Sequence, residues 1–480
     1  MKRQIGQRNV MGGAVCLSAA SIIFAGMCTP AGAQSQVSPN PQPPGSAAPY
    51  SPPAASPLQQ PPANPQPSGV ASPNSPAATL GPVAQLVSFG NSLGKTLADQ
   101  GIYLLGSYTE NMGSLVSGGV KTGTIPNGEL SFGVTLDLQK ILGIPEGSFH
   151  VIFDERNGNN LNNTVGTSSG VFEGGIGPTR ATRLSEFYYE QGFDHDRIDI
   201  QVGRTNPTNN FATNDLDIAC SFVAGYICAQ PSSFYFSNQS IAFPASTWGG
   251  FLNIQTTAHT YFRTGVYDDD ISQLLGNQQG FNFNVKGSVG VFLPLEIGYQ
   301  TSFSDSRYPG KYDIGGYWDD ADYTTPQGVP MRGRTAYYAQ ASQTVWRPNP
   351  NTKQSVTVFG GGMWYNGGAP YWAQLYAGAY DRGPFTSLGR PDDTIGVIGT
   401  YYANNSNQHG NGPNQWLYEL NYNFQVVPGL TVKPFTQYAV APNNLLDAFG
   451  TKEPKNAWVV GFQVSIDFGA FFGLPQFVAY

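Results

Sequence analysis

Ala457-Trp458-Val459-Val460-Gly461-Phe462-Gln463-Val464-Ser465-Ile466-Asp467-Phe468 is the stretch on which the fold turns. Successive side chains of a strand point to opposite faces. Trp458, Val460, Phe462, Val464, Ile466 and Phe468 therefore share one face, and Gly461, Gln463, Ser465 and Asp467 share the other, with Val459 the one apolar exception. In a soluble sandwich the oily face would meet a protein core. Nearly every other strand of this chain shows the same division, so no obvious partner is left for it. Oily faces turned to lipid and wet faces lining a water-filled lumen satisfy all of these strands together.

Period-two patterning holds backwards from Phe468 to Gly101. It predicts an all-β fold, a transmembrane antiparallel barrel of about 16 strands over residues 101–468. The strands fall near 101–112, 128–138, 148–157, 184–193, 198–206, 246–256, 259–268, 281–300 (with a break near Pro294), 310–319, 333–346, 355–366, 371–382, 394–404, 415–426, 430–441 and 457–468. Short connections such as Asp194-His195-Asp196-Arg197 and Val427-Pro428-Gly429 alternate with long ones, 158–183 and 207–245, rich in Gly, Asn, Ser and Thr. Short periplasmic turns and long outer loops are the rule in such barrels. Aromatic pairs at strand ends (Tyr188 and Tyr189, Tyr337 and Tyr338, Trp364 and Tyr365, Tyr371 and Trp372, Tyr401 and Tyr402) suit interfacial girdles.

Composition agrees. Charged residues are 11% of the 480, against roughly 25% in soluble proteins. Beyond the N-terminus no run of about 18 apolar residues exists, which excludes spanning helices. Lys2, Arg3 and Arg8, an apolar stretch from Val10 to Met27 and Ala31-Gly32-Ala33 read as a secretory signal over 1–33. Its removal shifts the formal charge from −7 to −10, which argues against nucleic acid as a partner.

Cys220 and Cys228 remain after the signal leaves, inside the longest loop of an exported chain, and a disulfide between them is expected. Residues 34–82 carry no charge and about a third are Pro; they read as a disordered spacer, either an untethered tail or a tether to the cell wall. Leu86, Phe89, Leu93 and Leu97 give residues 83–100 helical spacing, a short amphipathic helix on the periplasmic side. Within it Gly90-Asn91-Ser92-Leu93-Gly94 matches G-x-S-x-G, but a nucleophile elbow needs a strand before the serine, and none is there.

Alternation also predicts which side chains face inward. His150, Asp154 and Arg156 oppose Phe149, Val151 and Phe153; Glu186, Tyr188 and Glu190 share a lumen face; Arg263, Tyr267, Glu419 and Lys433 point inward too. Arg204 falls on the outward parity unless a bulge turns it. Asp154, Arg156, Glu186, Tyr188, Glu190, Arg263, Tyr267, Glu419 and Lys433 are the candidate lining of a polar constriction. Carboxylates and guanidinium groups pair with sugar hydroxyls.

The region from Leu93 to Phe468 resembles the carbohydrate-selective outer-membrane porins of the OprB type. The resemblance rests on Leu97-Ala98-Asp99-Gln100-Gly101-Ile102, Ser117-Gly118-Gly119-Val120-Lys121-Thr122-Gly123, Leu136-Asp137-Leu138-Gln139-Lys140-Ile141-Leu142-Gly143, Gly147-Ser148-Phe149-His150-Val151, Glu186-Phe187-Tyr188-Tyr189-Glu190-Gln191, Phe262-Arg263-Thr264-Gly265-Val266-Tyr267-Asp268, Val427-Pro428-Gly429-Leu430, Gln437-Tyr438 and Lys455-Asn456-Ala457, in that order. It implies a 16-stranded barrel that passes sugars passively across the outer membrane. The Pro-rich leader and the tail Gly469–Tyr480 depart from the pattern, so Phe468 and Tyr480 compete as the terminal aromatic.

The expected partners are carbohydrate solutes and outer-membrane lipid, the barrel being a monomer or a homotrimer, without cofactor or metal. A general small-solute pore is the nearest alternative. An outer-membrane hydrolase is the next: Glu186 and Glu190 could pair as acid and base, but they are only same-face neighbours on a strand. Asp268-Asp269-Asp270 at a strand end is a solvated edge or a Ca²⁺ ligand set. A gated receptor would carry a folded plug, which 34–82 cannot form.

Overall fold

The computed structural model describes residues 82–167, 182–213, 221–224, 243–270, 279–324, 329–367, 369, 371–405, 412–442 and 454–479. The expected signal, nearly all of the Pro-rich spacer, both Cys220 and Cys228, and Tyr480 lie outside the described residues.

A helix, α1 (Pro82–Asp99), precedes the strands β1 (Ile102–Gly119), β2 (Gly123–Asp137), β3 (Gly147–Gly158), β4 (Thr182–Phe193), β5 (Ile198–Thr205), β6 (Thr247–Gln255), β7 (Thr260–Asp269) and β8 (Gly290–Gln300). Next come β9 (Gly310–Thr324), β10 (Pro330–Trp346), β11 (Ser355–Asn366), β12 (Tyr371–Arg382), β13 (Thr394–Asn404), β14 (Gln415–Val427), β15 (Leu430–Val440) and β16 (Lys455–Asp467). Among the described residues three short α-helices intervene or follow: α2 (Leu138–Leu142), α3 (Asn162–Val165) and α4 (Phe468–Phe472). Each strand pairs antiparallel with its sequence neighbours, and β1 closes on β16, from Ser107 opposite Asp467 to Leu115 opposite Val459. Closure leaves no sheet edge, the condition for a sheet to cross a bilayer.

β16 shows the logic. Trp458 keeps 50% of its surface exposed and Val459 1%. Val459, the exception on the wet face, joins an interior cluster with Leu115, Leu161, Val165, Leu417 and Phe435. A second interior cluster gathers Phe211, Phe251, Tyr267, Phe292, Tyr317 and Tyr338. Apolar side chains on the inward face therefore gather where connecting segments such as 161–165 and 211–212 pack on the wall. The same alternation divides the aromatic pairs: Tyr337 is 62% exposed and Tyr338 4%, and Trp372 faces out while Tyr371 is fully buried. Adjacent residues of a strand cannot both reach the lipid interface, so only one of each pair serves a girdle.

Two expectations for the eighth strand need correction. β8 begins at Gly290, and Pro294 lies inside it without a break. Pro294 has no N–H to give, and the β7–β8 pairs skip from Thr264–Leu295 to Tyr267–Phe292; Thr264 Oγ1 donates to the Pro294 carbonyl at 3.0 Å instead. Residues 281–289 alternate like a strand but leave the ladder. Their backbone is held by side chains: Arg204 Nη1 donates to the carbonyls of Gly280 (2.6 Å) and Asn282 (2.8 Å), and the Trp248 indole donates to that of Phe283 (3.1 Å). Asn284 Oδ1 accepts from the Lys286 N–H at 3.0 Å, a local turn that competes with strand geometry. Arg204 stays on the outward parity, paired across the sheet with Phe187 and Trp248, and is buried because this segment covers it.

Candidate channel constriction

After β5 the chain turns into the barrel. Asn206 starts the turn: its Oδ1 accepts from the Thr208 N–H at 2.9 Å and its Nδ2 donates to the Ala245 carbonyl at 2.6 Å, which ties the two stems of the long loop together. Residues 209–213 then run along the inner wall, strand by strand. Asn209 Nδ2 donates to Glu186 of β4, and Asn210 Nδ2 to Gln201 of β5 at 3.0 Å. The Asn210 carbonyl accepts from Arg263 of β7 at 3.2 Å. The Ala212 N–H donates to Glu296 Oε2 of β8 at 2.7 Å. Thr213 O accepts from Lys311 Nζ of β9 at 2.5 Å and from Gln340 Nε2 of β10 at 3.0 Å.

The same connection touches the wall again further round. Val223 and Ala224 N–H groups donate to the two oxygens of Glu419 on β14 at 2.9 and 2.6 Å, Asn421 Nδ2 donates to the Ser221 carbonyl at 2.9 Å, and Phe222 packs on Phe359 of β11. On its return the Phe243 carbonyl accepts from Arg156 Nη1 of β3 at 3.3 Å, and the Arg156 guanidinium lies over the Phe243 ring. Parts of one loop thus meet the inner face of β3–β5, β7–β11 and β14.

Each expected lining residue has a definite place. Glu186 binds Asn209, and Glu419 binds Val223 and Ala224. Both carboxylates are buried as loop anchors. Arg156 is paired with Glu129 and buried beside Phe243. Asp154 is fully buried near Ser131 and Ser185. Tyr267 lies in the apolar cluster with Phe211. Lys433 Nζ donates to Gln463 Oε1 at 2.9 Å, Gln463 Nε2 to Asn111 Oδ1 at 2.8 Å, and Asn111 Nδ2 to Asn127 Oδ1 at 3.0 Å. That chain of bonds runs from β15 through β16 and β1 to β2, across the seam where the barrel closes. Tyr188 stacks on His150, with ring centroids 4.6 Å apart, and His150 Nε2 lies 2.9 Å from Glu190 Oε2. Glu190 also accepts from Gln201 Nε2 at 3.5 Å, so Glu186 and Glu190 meet neighbouring residues of the loop, Asn209 directly and Asn210 through Gln201. Glu190 and Arg263 keep side-chain exposures of 15% and 11%.

Sequence reasoning missed Glu296. It stands opposite Arg263 in the β7–β8 register, with Arg263 Nη1 3.3 Å from its Oε1 and Tyr338 OH donating to its Oε2 at 2.6 Å. Arg263 also donates through Nε to Asn253 Oδ1 at 3.2 Å and lies over the Tyr261 ring. At the outer end Asp269 and Asp319 share Arg334, at 3.9 and 2.6 Å, so an arginine already serves part of the acidic run at 268–270.

Comparison with known proteins places this architecture. The solved structure of Pseudomonas putida OprB at high pH superposes with a TM-score of 0.68 at 21% identity, covering 79% of this chain and 97% of that one; its low-pH structure gives 0.51 at 17%, with the same coverage. The porin-type protein QuiX of Acinetobacter baylyi is 23% identical over 412 residues, covering 78% of this chain and 90% of its own. Porin B of Pseudomonas aeruginosa is 27% identical over 394 residues, covering 72% and 83%. Residues 121–468 match the family described as carbohydrate-selective porin, OprB family. The chain belongs to that family, as a β-barrel diffusion channel of the bacterial outer membrane rather than an enzyme.

Proposed function

We propose that the channel passes carbohydrates of glucose size by passive diffusion, through a constriction set by the inward segments 206–213 and 221–224. One observation supports this reading above the others. Arg263 and Glu190 stay partly exposed beside a loop whose backbone is fixed by Glu296, Lys311 and Gln340. A fixed loop with a cation and an anion near it offers sugar hydroxyls both donors and acceptors. Neither group is free to close on the solute, so contact stays weak enough for release. The buried rings of Tyr261 and Tyr188 back this pair from the wall: Arg263 lies over Tyr261, and Tyr188 stacks on His150, the partner of Glu190. Asp154, Arg156, Glu186, Tyr188, Tyr267, Glu419 and Lys433 belong to this constriction as its scaffold, and Glu190 and Arg263 as its contact surface.

The family's description, carbohydrate-selective, points the same way. The test is single-channel conductance in planar bilayers with and without glucose. Glucose is expected to lower the ion current in a saturable manner, and Arg263→Ala to abolish the saturation. A current that falls only with solution viscosity would leave a general small-solute pore in place of a sugar channel. The number of protomers is read by the same recording, as one or three conductance steps per insertion.

A further inference from the structure

Phe477 lies beyond the last strand, yet its ring rests against the inside of the barrel. Tyr103 of β1, Thr135 of β2, His150 of β3 and Tyr188 of β4 form one cross-strand row, each paired with the next. Leu105, on the Tyr103 parity, packs with interior Ile152 and Phe243, which fixes this row as lumen-facing. The Phe477 ring stands edge-on to Tyr103 with centroids 5.4 Å apart and edge-on to His150 at 6.2 Å, so it spans the short Thr135 between them. It is only partly buried.

The route from Asp467 to this position is built. Asp467 Oδ1 caps α4 by accepting from the Ala470 N–H at 2.7 Å, and Gly473 ends the helix in the left-handed region. The Leu474 N–H then donates to the Gly469 carbonyl at 2.8 Å. Helix α1 receives this segment on Gly90 and Gly94, one turn apart. A methyl group on Gly94 would stand 2.9 Å from Leu474 Cδ2 and from Pro475 Cδ, and one on Gly90 3.0 Å from Phe472 Cβ. Lys140 fastens the end of α1 to the barrel, donating to the Ala98 carbonyl at 3.0 Å and to the Tyr103 hydroxyl at 2.6 Å. Helix, tail and wall hold one aromatic ring at the periplasmic mouth.

We propose that Phe477 is a selectivity residue of the periplasmic exit, a second narrowing that sets the largest solute able to leave. It acts by size and by its apolar edge, and it goes beyond the sugar reading because it governs small ions as well. The expected solutes at its limit are oligosaccharides, with monosaccharides passing freely.

The test uses the full chain in planar bilayers and in liposomes, with the heat-dependent gel shift of folded barrels as the control for assembly. Phe477→Ala is expected to raise single-channel conductance about 1.5-fold and to speed swelling in a disaccharide more than in glucose. Phe477→Trp is expected to lower both. Phe477→Cys, treated from the periplasmic side with a charged, membrane-impermeant thiol reagent, is expected to lose current where the parent protein does not. Conductance unchanged in both ring variants, or a thiol effect no larger than the parent's, would overturn the proposal. Neither readout depends on a glucose effect, so the exit residue and the sugar constriction fail separately.

Discussion

Two pieces of chain enter this barrel from opposite ends, and they are held in unlike ways. The outer loop is fixed by charge: Glu296 accepts from Ala212, Glu419 from Val223 and Ala224, and Lys311 donates to Thr213, all with the charged partner buried. The periplasmic tail is fixed by shape, through two glycines of α1 and the contact of Phe477 with two rings of the wall, Tyr103 and His150. Charge-assisted hydrogen bonds are directional, and losing one partner leaves the other buried and unpaired. Van der Waals contact carries no such penalty. The loop is therefore expected to behave as a permanent part of the wall, and the tail as an attachment whose loss leaves the barrel intact.

Breaking the loop's anchors is the largest effect expected. Glu296→Ala removes the carboxylate shared by Arg263, the Ala212 N–H and the Tyr338 hydroxyl, and breaking a buried pair costs about 3–5 kcal/mol. The cost falls on the loop, whose alternative is to leave the wall. Protease cutting within 209–213 and a rise in conductance are expected, with the strand signal in circular dichroism unchanged. Glu419→Ala is expected to release 221–224 in the same way. If the two anchors are independent, their effects add; a double variant no worse than either single one would show that the loop lets go as a unit.

The tail answers to crowding. Gly94→Leu places a side chain where Leu474 and Pro475 already sit, and overpacking costs about 1–3 kcal/mol. The tail is expected to come off α1, and conductance to rise as in Phe477→Ala. A fall in the unfolding midpoint of the whole barrel would show that the tail is structural after all. Lys140→Met removes the tie between α1 and Tyr103. That side chain is 41% exposed, and a surface contact of this kind is worth under about 1 kcal/mol, so a small increase in current noise with normal mean conductance is expected.

The contrast also explains what could be read in the chain beforehand. Strands were legible because each carries its own period-two record, and both the closed order and the inward parity of Asp154, Glu186, Arg263 and Glu419 follow from that record. Roles were not. Whether an inward carboxylate meets solute or pins a loop depends on where a distant segment lands, and nothing in the residues around Glu419 announces Val223. Residues 281–289 misled for the opposite reason: Phe281, Phe283 and Val285 alternate with Asn282, Asn284 and Lys286 as a strand would, but Arg204 and Trp248 claim their carbonyls. Glu296 lay inside the expected strand and had a signal of its own, its parity and its place opposite Arg263. The G-x-S-x-G match had a use that chemistry did not suggest: its two glycines are the face on which the tail lies.

The smallest effect lies in the turn joining β4 to β5, close to the wall where the tail rests. Asp194, His195 and Asp196 all adopt left-handed backbone, with φ of 57°, 59° and 56°, which these residue types tolerate better than most. Partial burial, with Glu190 and Glu146 nearby, pushes the Asp196 carboxyl up to about 6. In an unfolded chain it titrates near its ordinary value of about 3.9. Between those values the folded protein binds more protons, so this group favours folding below about 4 and that contribution is lost as the pH rises through about 6. The carboxyl is only partly buried, and solvent screening holds the effect under about 1 kcal/mol. Urea unfolding in detergent from pH 4 to 7 is expected to show a midpoint that declines with pH in the parent and a shallower decline in Asp196→Asn. Equal slopes would mean that the Asp196 carboxyl titrates alike in the folded and unfolded chain, and that the turn's burial does not reach it.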